Sequence, residues 1–202
     1  MKSLTLPLLI TLGFLSQNTQ AGILTPNVQP NPVRVGVPIY GGTGCPQGTA
    51  AISQSGRSAL LNVDSFEAHA PAANGSNFDR KSCSLRLPVQ VLRGYQMVIK
   101  GIVLKGDYNI PAGGRGAFEQ RVSYVGQIRP QITRMNLAGQ GTLSLNPSGN
   151  PQDWIVTACS TGRDLMLNVD VNLLTTTNPT SQYASASIQG FAFNWELKRC
   201  RP

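Results

Sequence analysis

Histidine is nearly missing from this 202-residue chain, with His69 its single example. A hydrolytic triad needs a base beside a nucleophile, and His69 sits in Ala68-His69-Ala70-Pro71-Ala72-Ala73, which reads as a loop. There is no Gly-x-Ser-x-Gly elbow to expose a serine. Gly113-Gly114-Arg115-Gly116 has no Lys-Ser/Thr and no helix after it, so it reads as a turn and not a phosphate loop. Zinc needs clustered Cys and His, whereas four cysteines here lie dozens of residues apart. Charged residues make up only 13% of the chain, with nine acids. Beyond the first residues no apolar run reaches the ~18 that a membrane helix requires. Neither a cysteine beside the leader nor a C-terminal anchor signal points to lipidation. No segment sustains a 3.6-residue apolar period, which excludes a helical domain. No catalytic set, metal or cofactor is therefore expected, and the chain reads as a non-enzyme.

What is present begins with a leader. Lys2 precedes the apolar run Leu4 to Leu15, and the polar stretch Ser16 to Gln20 leads to Ala21. Small residues at Thr19 and Ala21 suit signal-peptide cleavage between Ala21 and Gly22. Residues 1–21 are thus read as a signal peptide, and the rest as secreted or otherwise extracytoplasmic. In that compartment Cys45, Cys83, Cys159 and Cys200 are expected in disulfides, since thiols are not kept reduced there.

Residues 22–39 carry Pro26, Pro30, Pro32 and Pro38 with little periodicity, and read as an extended arm. From Tyr40 onward alternation dominates. Cys83, Leu85, Leu87, Val89 and Val91 share one parity; Leu165, Leu167, Val169, Val171 and Leu173 form the clearest strand. Phe191, Phe193, Trp195 and Leu197 alternate with polar neighbours. Tyr95 to Leu104 is apolar on both parities, as in a central strand covered on both sides. Pro88 has no N–H for a ladder and marks an edge or a bulge. Further strands are expected at Phe118–Tyr124, Thr49–Gln54, Ser58–Phe66, Gln131–Leu137 and Asp153–Ala158, giving nine or ten. The plainest turns are Gly113–Gly116, Asn146–Pro151 and Thr176–Pro179. Residues 40–202 should therefore form a single antiparallel β-sandwich with Greek-key or jelly-roll connections.

The motifs Gly42-Thr43-Gly44-Cys45-Pro46-Gln47-Gly48 and Arg80-Lys81-Ser82-Cys83 form an unusual pair of cysteine loops. They are followed by Pro88, Gly94-Tyr95-Gln96, Tyr124-Val125-Gly126, Trp154 to Cys159, and Leu165-Met166-Leu167-Asn168-Val169. In that order they resemble the secreted family catalogued as domain of unknown function 4360, from about Tyr40 to Cys200. Ser160 departs from the pattern, which tends to have Gly after the third cysteine. The resemblance implies an extracellular habitat and no activity. Of the three connectivities open to four cysteines, the sequential one is favoured, Cys45–Cys83 and Cys159–Cys200. Each pair brackets one half of the domain, and the family-like motifs come as matched loops.

Formal net charge is +8, or +7 without Lys2, and twelve of the seventeen cations are Arg. Such a surface suits glycans or anionic cell-surface polymers, and Arg80, Lys81 and Arg86 are a candidate patch. Tyr40 and Trp154 are candidate sugar-stacking rings. No nucleic-acid motif is present. Asp164, Asn168, Asp170 and Asn172 share a strand face, but next-but-one residues sit ~6.5–7 Å apart, too far for a compact calcium site. A surface-binding module is the preferred reading. A self-associating structural protein is the alternative, with a carboxylate-dependent glycosidase using Asp64/Glu67 or Asp107/Glu119 behind it. Asn74-Gly75-Ser76 is a glycosylation sequon. N-terminal sequencing of secreted material is expected to start at Gly22; an intact Met1 would remove the leader and the compartment inferred from it.

Overall fold

The computed structural model describes residues 32–127, 129–145, 154–177 and 182–201. They fall in one compact unit. The leader with its Ala21–Gly22 junction, the whole Asn146–Pro151 turn and part of the Thr176–Pro179 turn lie outside them.

Twelve strands and no helix are found among the described residues. In chain order they are β1 (Val33–Val35), β2 (Ile39–Gly41), β3 (Ala50–Ser55), β4 (Ser58–Ala70), β5 (Phe78–Val91) and β6 (Tyr95–Ile110). The second half supplies β7 (Arg115–Tyr124), β8 (Gln131–Leu137), β9 (Gly139–Leu145), β10 (Ile155–Val156), β11 (Asp164–Thr176) and β12 (Ala184–Arg199). Two antiparallel sheets result. One runs β1-β5-β11-β7-β8, with β2 also on β5; the other runs β10-β6-β12-β4-β3, with β9 also on β6.

Nested pairing explains this order: β4 pairs β12, β5 pairs β11, β6 pairs β9 and β7 pairs β8. A ribbon folded in that way, with early strands paired to late ones and successive pairs laid alternately on two layers, is a jelly roll. The expected sandwich is thus realised in its jelly-roll form. Strands β1, β2, β3 and β10 extend the edges.

The core lies between the sheets. Leu85, Leu87, Val89 and Val91 of β5 and Leu167, Val169, Val171 and Leu173 of β11 line one side. Phe66, Phe191, Phe193 and Trp195 contribute from the other sheet. Burying each large apolar side chain is worth about 1.5–3 kcal/mol. Gln120 holds an inward position between Phe118 and Val122 and is only 3% exposed.

Strand β6 is central, and Val98, of the parity opposite Met97 and Ile99, is fully buried, as a strand covered on both sides requires; the inward face nevertheless changes along it. Its partner register shifts between Asn194 and Trp195, with Gly101 and Ile99 opposite them, so Lys100 is an extra residue. A bulge of this kind flips parity. Met97 and Ile99 therefore face the core before it, and Ile102 and Leu104 after it. A second irregularity at Ile188/Gly190 turns Ala184, Ala186 and Ile188 inward on one phase and Phe191, Phe193 and Trp195 on the next.

Of the segment read as an arm, residues 22–31 lie outside the described residues, and residues 32–39 supply β1 and the start of β2. Val33 pairs with Val91 and is fully buried. Pro32, which cannot donate, accepts from the Leu92 N–H, and Pro88 accepts from Gly36 where the β1/β2 edge is interrupted. This edge is sealed onto β3. Gln54 donates from Nε2 to the Val33 carbonyl at 2.8 Å and accepts the Val35 N–H at 3.0 Å. His69, read as a loop residue, lies in β4, and Arg80 and Lys81 lie in β5.

Both disulfides join the cysteines in the favoured sequential pairing, Cys45–Cys83 and Cys159–Cys200, and no cysteine is free. Gly44 beside the first is held against the Phe66 ring; a Cβ there would lie 2.2 Å from ring carbons. Gly44→Ala is expected to lower stability by about 1–3 kcal/mol, the usual cost of overpacking. Removing the second bridge as Cys159→Ala/Cys200→Ala should cost about 4 kcal/mol in the chain-entropy description. Urea denaturation measures both; unchanged midpoints would contradict the packing and the cross-link accounts respectively.

Candidate functional site: the open face of the β5-β11-β7-β8 sheet

Register fixes which side chains leave the core. On β5 the outward set is Arg80, Ser82, Ser84, Arg86, Pro88 and Gln90, and on β11 it is Asp164, Met166, Asn168, Asp170, Asn172 and Leu174. Strand β7 adds Ala117, Glu119, Arg121 and Ser123, and β8 adds Ile132, Arg134 and Asn136. Cross-strand rows follow directly: Arg86–Asn168–Ser123, then Ser84–Asp170–Arg121, then Ser82–Asn172–Glu119–Arg134.

These rows are wired together. Ser84 donates to Asp170 Oδ1 at 2.6 Å, and Arg80 Nη2 donates to Asn172 Oδ1 at 2.9 Å. Glu119 receives Arg121 Nε on Oε1 and Arg134 Nε on Oε2, both at 2.7 Å. Two hollows open on the face. One, of about 480 Å³, is lined by Ile39, Ser84, Arg86, Ser123, Val125, Met166, Asn168 and Asp170. The other, of about 330 Å³, lies among Phe78, Arg80, Glu119, Arg134, Asn172 and Leu174. Phe78 and Val125 are half or more exposed, so apolar surface borders the polar rows.

Arg80 and Arg86 share this face, but Lys81 does not join them. It has the opposite parity, and its ammonium pairs with Asp79 at 3.5 Å. The three-residue patch expected from sequence is thereby reduced to its two arginines. Tyr40 is a structural latch rather than an open ring. Its hydroxyl accepts from Gly48 N and Ala50 N at 3.0 and 3.2 Å and donates to the Ala50 carbonyl at 3.1 Å, joining β2 to β3. Trp154 belongs to the other sheet's outer side, half-buried, with Lys100 and Lys198 ammonium groups 5.2 and 5.5 Å from its ring centre. Lys100 also pairs with Glu196, whose carboxyl lies below its ordinary pKa chiefly through that hydrogen bond.

Asp107 and Glu119 lie on different sheets, and Asp107 accepts from Gln189 on its own sheet. The fold does not bring this carboxylate pair together. Among the described residues no three His, Cys, Asp or Glu side chains gather as metal ligands.

One constellation escaped sequence reading. His69 Nε2 lies 3.0 Å from Glu67 Oε2, and its Nδ1 lies 2.6 Å from the Tyr183 hydroxyl, with the two rings stacked. The i, i+2 spacing of Glu67 and His69 was the available signal, hidden by the loop assignment. Tyr183 is 54% exposed, so any proton transfer along this chain would occur in open solvent.

Glu119 is held below its ordinary 4.5, first by the Arg134 hydrogen bond and then by that of Arg121. A carboxyl depressed in the folded state stabilises it above the unfolded value and stops doing so as pH falls through the folded value. Unfolding midpoints of the wild type are therefore expected to drop between pH 4.5 and more acidic values with a component that Glu119→Gln removes. Parallel pH profiles for the two proteins would refute the assignment.

Comparison with known proteins bears on this geometry. A secreted protein of uncharacterised role from Arthroderma benhamiae is 24% identical over 151 residues, 73% of this chain. The match spans 62% of that relative's length. Among solved structures, TmCBM61 in complex with beta-1,4-galactotriose is 11% identical, covering 83% of this chain and 88% of that one, at a TM-score of 0.22. HutD from Pseudomonas fluorescens SBW25 is 8% identical, covering 79% and 100%, at 0.15. Scores that low carry no weight for fold or function. No helix among the described residues is long and apolar enough to cross a membrane. Two formed disulfides fit an oxidising compartment, and the chain is a secreted or otherwise extracytoplasmic protein. Residues 31–199 match the profile of the family described as a domain of unknown function, DUF4360, and the chain belongs to that family.

Proposed function

We propose that this protein is a non-catalytic module that binds glycans on the open face of the β5-β11-β7-β8 sheet. The observation that carries the reading is the pair of hollows that place Arg86, Asn168 and Asp170, and Arg80, Asn172 and Glu119, beside exposed apolar side chains. A sugar ring presents hydroxyl groups around its edge and C–H groups on its faces. Amides, carboxylates and guanidinium groups match vicinal hydroxyls in pairs, while Met166, Val125 and Phe78 offer apolar contact. The rows stand on paired strands, so a ligand meets side chains already ordered, which lowers the entropic cost of binding. The separation of Asp107 from Glu119 and the open setting of His69 support a binding role over a hydrolytic one.

A glycan array probed with the mature protein is expected to identify a ligand class. Arg86→Ala/Asn168→Ala should then weaken binding about tenfold or more, the equivalent of losing one or two charged hydrogen bonds. Lys105→Ala, on the other sheet, should leave it unchanged. No bound glycan, or equal affinity in the double variant, would overturn the site. Shortened glycan products that disappear in His69→Ala or Glu119→Gln would overturn the non-catalytic reading.

A further inference from the structure

A second surface gathers at the end of the sandwich held by the Cys159–Cys200 bridge. Segments 92–95, 159–164 and 198–201 meet there. Gly94 N donates to the Ser160 carbonyl, Ser160 N to the Tyr95 carbonyl, and Cys200 N to the Gly94 carbonyl, at 2.8–2.9 Å. The Ser160 hydroxyl donates to the Val91 carbonyl at 2.7 Å and accepts the Gly162 N–H at 3.0 Å. Ser160 is 5% exposed, so this knot is a fixed part of the fold.

Each strand of the knot carries exposed arginine. Arg93 precedes Gly94, Arg163 follows Gly162, and Arg199 and Arg201 flank Cys200. A methyl group on Gly162 would touch the Cβ of Arg93 at 3.9 Å, and Arg199 pairs with Tyr95 across the β6–β12 ladder. The acid carried by these segments is Asp164, which lines a shallow hollow with Arg34 and Gln90.

Lys81, Lys100, Arg121 and Arg134 each have a carboxylate within 4 Å. Among the described residues Arg93, Arg163, Arg199 and Arg201 have none. Other cations such as Arg86 and Lys105 share that, and the gathering of four around one bridge is what sets these apart. Like charges drawn together by a disulfide knot, outnumbering the one acid Asp164 of these segments, repel one another and gain from an external anion.

We propose that this end of the sandwich is a docking site for an acidic polysaccharide. Arginine forks match planar carboxylates and sulfates in bidentate pairs, which lysine cannot do. An extracytoplasmic location brings uronate-bearing or sulfated polymers within reach. Nucleic acid would want aromatic rings interleaved among the cations for base stacking, and these segments carry only the half-buried Tyr95. An anionic membrane would want an apolar rim, whereas Leu92 is the single large apolar side chain exposed in these segments. The site is separate from the sheet face above and does not rest on it.

The test uses the mature protein with its disulfides intact. Binding to polygalacturonate and dextran sulfate is measured against neutral dextran, phosphatidylserine-containing vesicles and a thirty-nucleotide oligothymidylate. Wild type should bind one or both acidic polysaccharides more tightly than the other probes, with affinity falling as salt rises. Arg93→Ser/Arg163→Ser/Arg199→Ser should lose about tenfold or more, with its salt slope reduced by about two to three contacts. Lys105→Ser/Arg115→Ser/Arg129→Ser has the same net charge and should lose less than about threefold. Equal loss in both triple variants would make the effect one of net charge and overturn the site. So would tighter binding to vesicles or oligonucleotide, or no polyanion binding by wild type. Circular dichroism and disulfide mapping confirm that each variant is folded, and a wild-type loss of neutral-glycan binding would leave this outcome unaffected.

Discussion

Insertion of the last two long strands into the middle of the two sheets is the constraint on which the rest of the structure depends. Strand β11 fills the gap between β5 and β7, and β12 fills the gap between β4 and β6. Until both arrive, neither sheet has a centre, and the inner faces of β5 and β6 have no complete layer to pack against. The partners are distant in sequence; the Ser84–Asp170 bond spans 86 residues. Closing loops that long adds little once they are long at all, about 0.6 kcal/mol per doubling. The reward is large, because the alternate side chains Leu167, Val169, Val171 and Leu173, and Phe191, Phe193 and Trp195, become buried together.

The same insertion makes the candidate site. Asn168, Asp170 and Asn172 point outward from β11, and only a central position gives them neighbours on both sides. Asn168 lies between Arg86 and Ser123, and Asn172 between Ser82 and Glu119. Had β11 been an edge strand, half of each row would be missing and both hollows would be open ledges. The disulfides play a different part. Cys45–Cys83 pins the loop behind β2 to β5, and Cys159–Cys200 ties the segment after β10 to the end of β12. The first anchors a loop onto the middle of β5, where Cys83 stands opposite Val171, and the second fixes the end of β12 where backbone pairing has run out.

Electrostatics divides between the two ends of this design. On the sheet face the charged groups are largely tied into hydrogen bonds, Glu119 with two arginines, Asp170 with a serine and Arg80 with Asn172. Such a surface presents directional hydrogen bonds among mixed charges. Around the Cys159–Cys200 bridge the arginines are not ion-paired among the described residues, and the field extends into solvent for about a Debye length, ~8 Å at physiological salt. One chain thus carries a mixed-charge, patterned surface and a more uniformly basic one.

Sequence alone determined that the chain is all-β and that alternate residues of Leu85–Val91 and Leu167–Leu173 face a core, and it favoured the sequential cysteine pairing that the structure then decided. Alternation is a local property, and a strand shows its buried side without knowing its partner. Local reading failed wherever phase or partner is set at a distance. Bulges at Lys100 and near Gly190 shift parity, so the change of inward face along β6 and the Ala184–Ile188 part of β12 passed unseen. Val33 to Val35 looked like an arm because three residues between prolines have no period; burial under Val91 and the Gln54 clasp made them a strand. Lys81 looked like a neighbour of Arg80 in the chain and proved its opposite in the sheet. Tertiary structure alone decided which polar side chains meet, because hydrogen-bonding rows and the arginines around the bridge are assembled across strands that the sequence keeps dozens of residues apart.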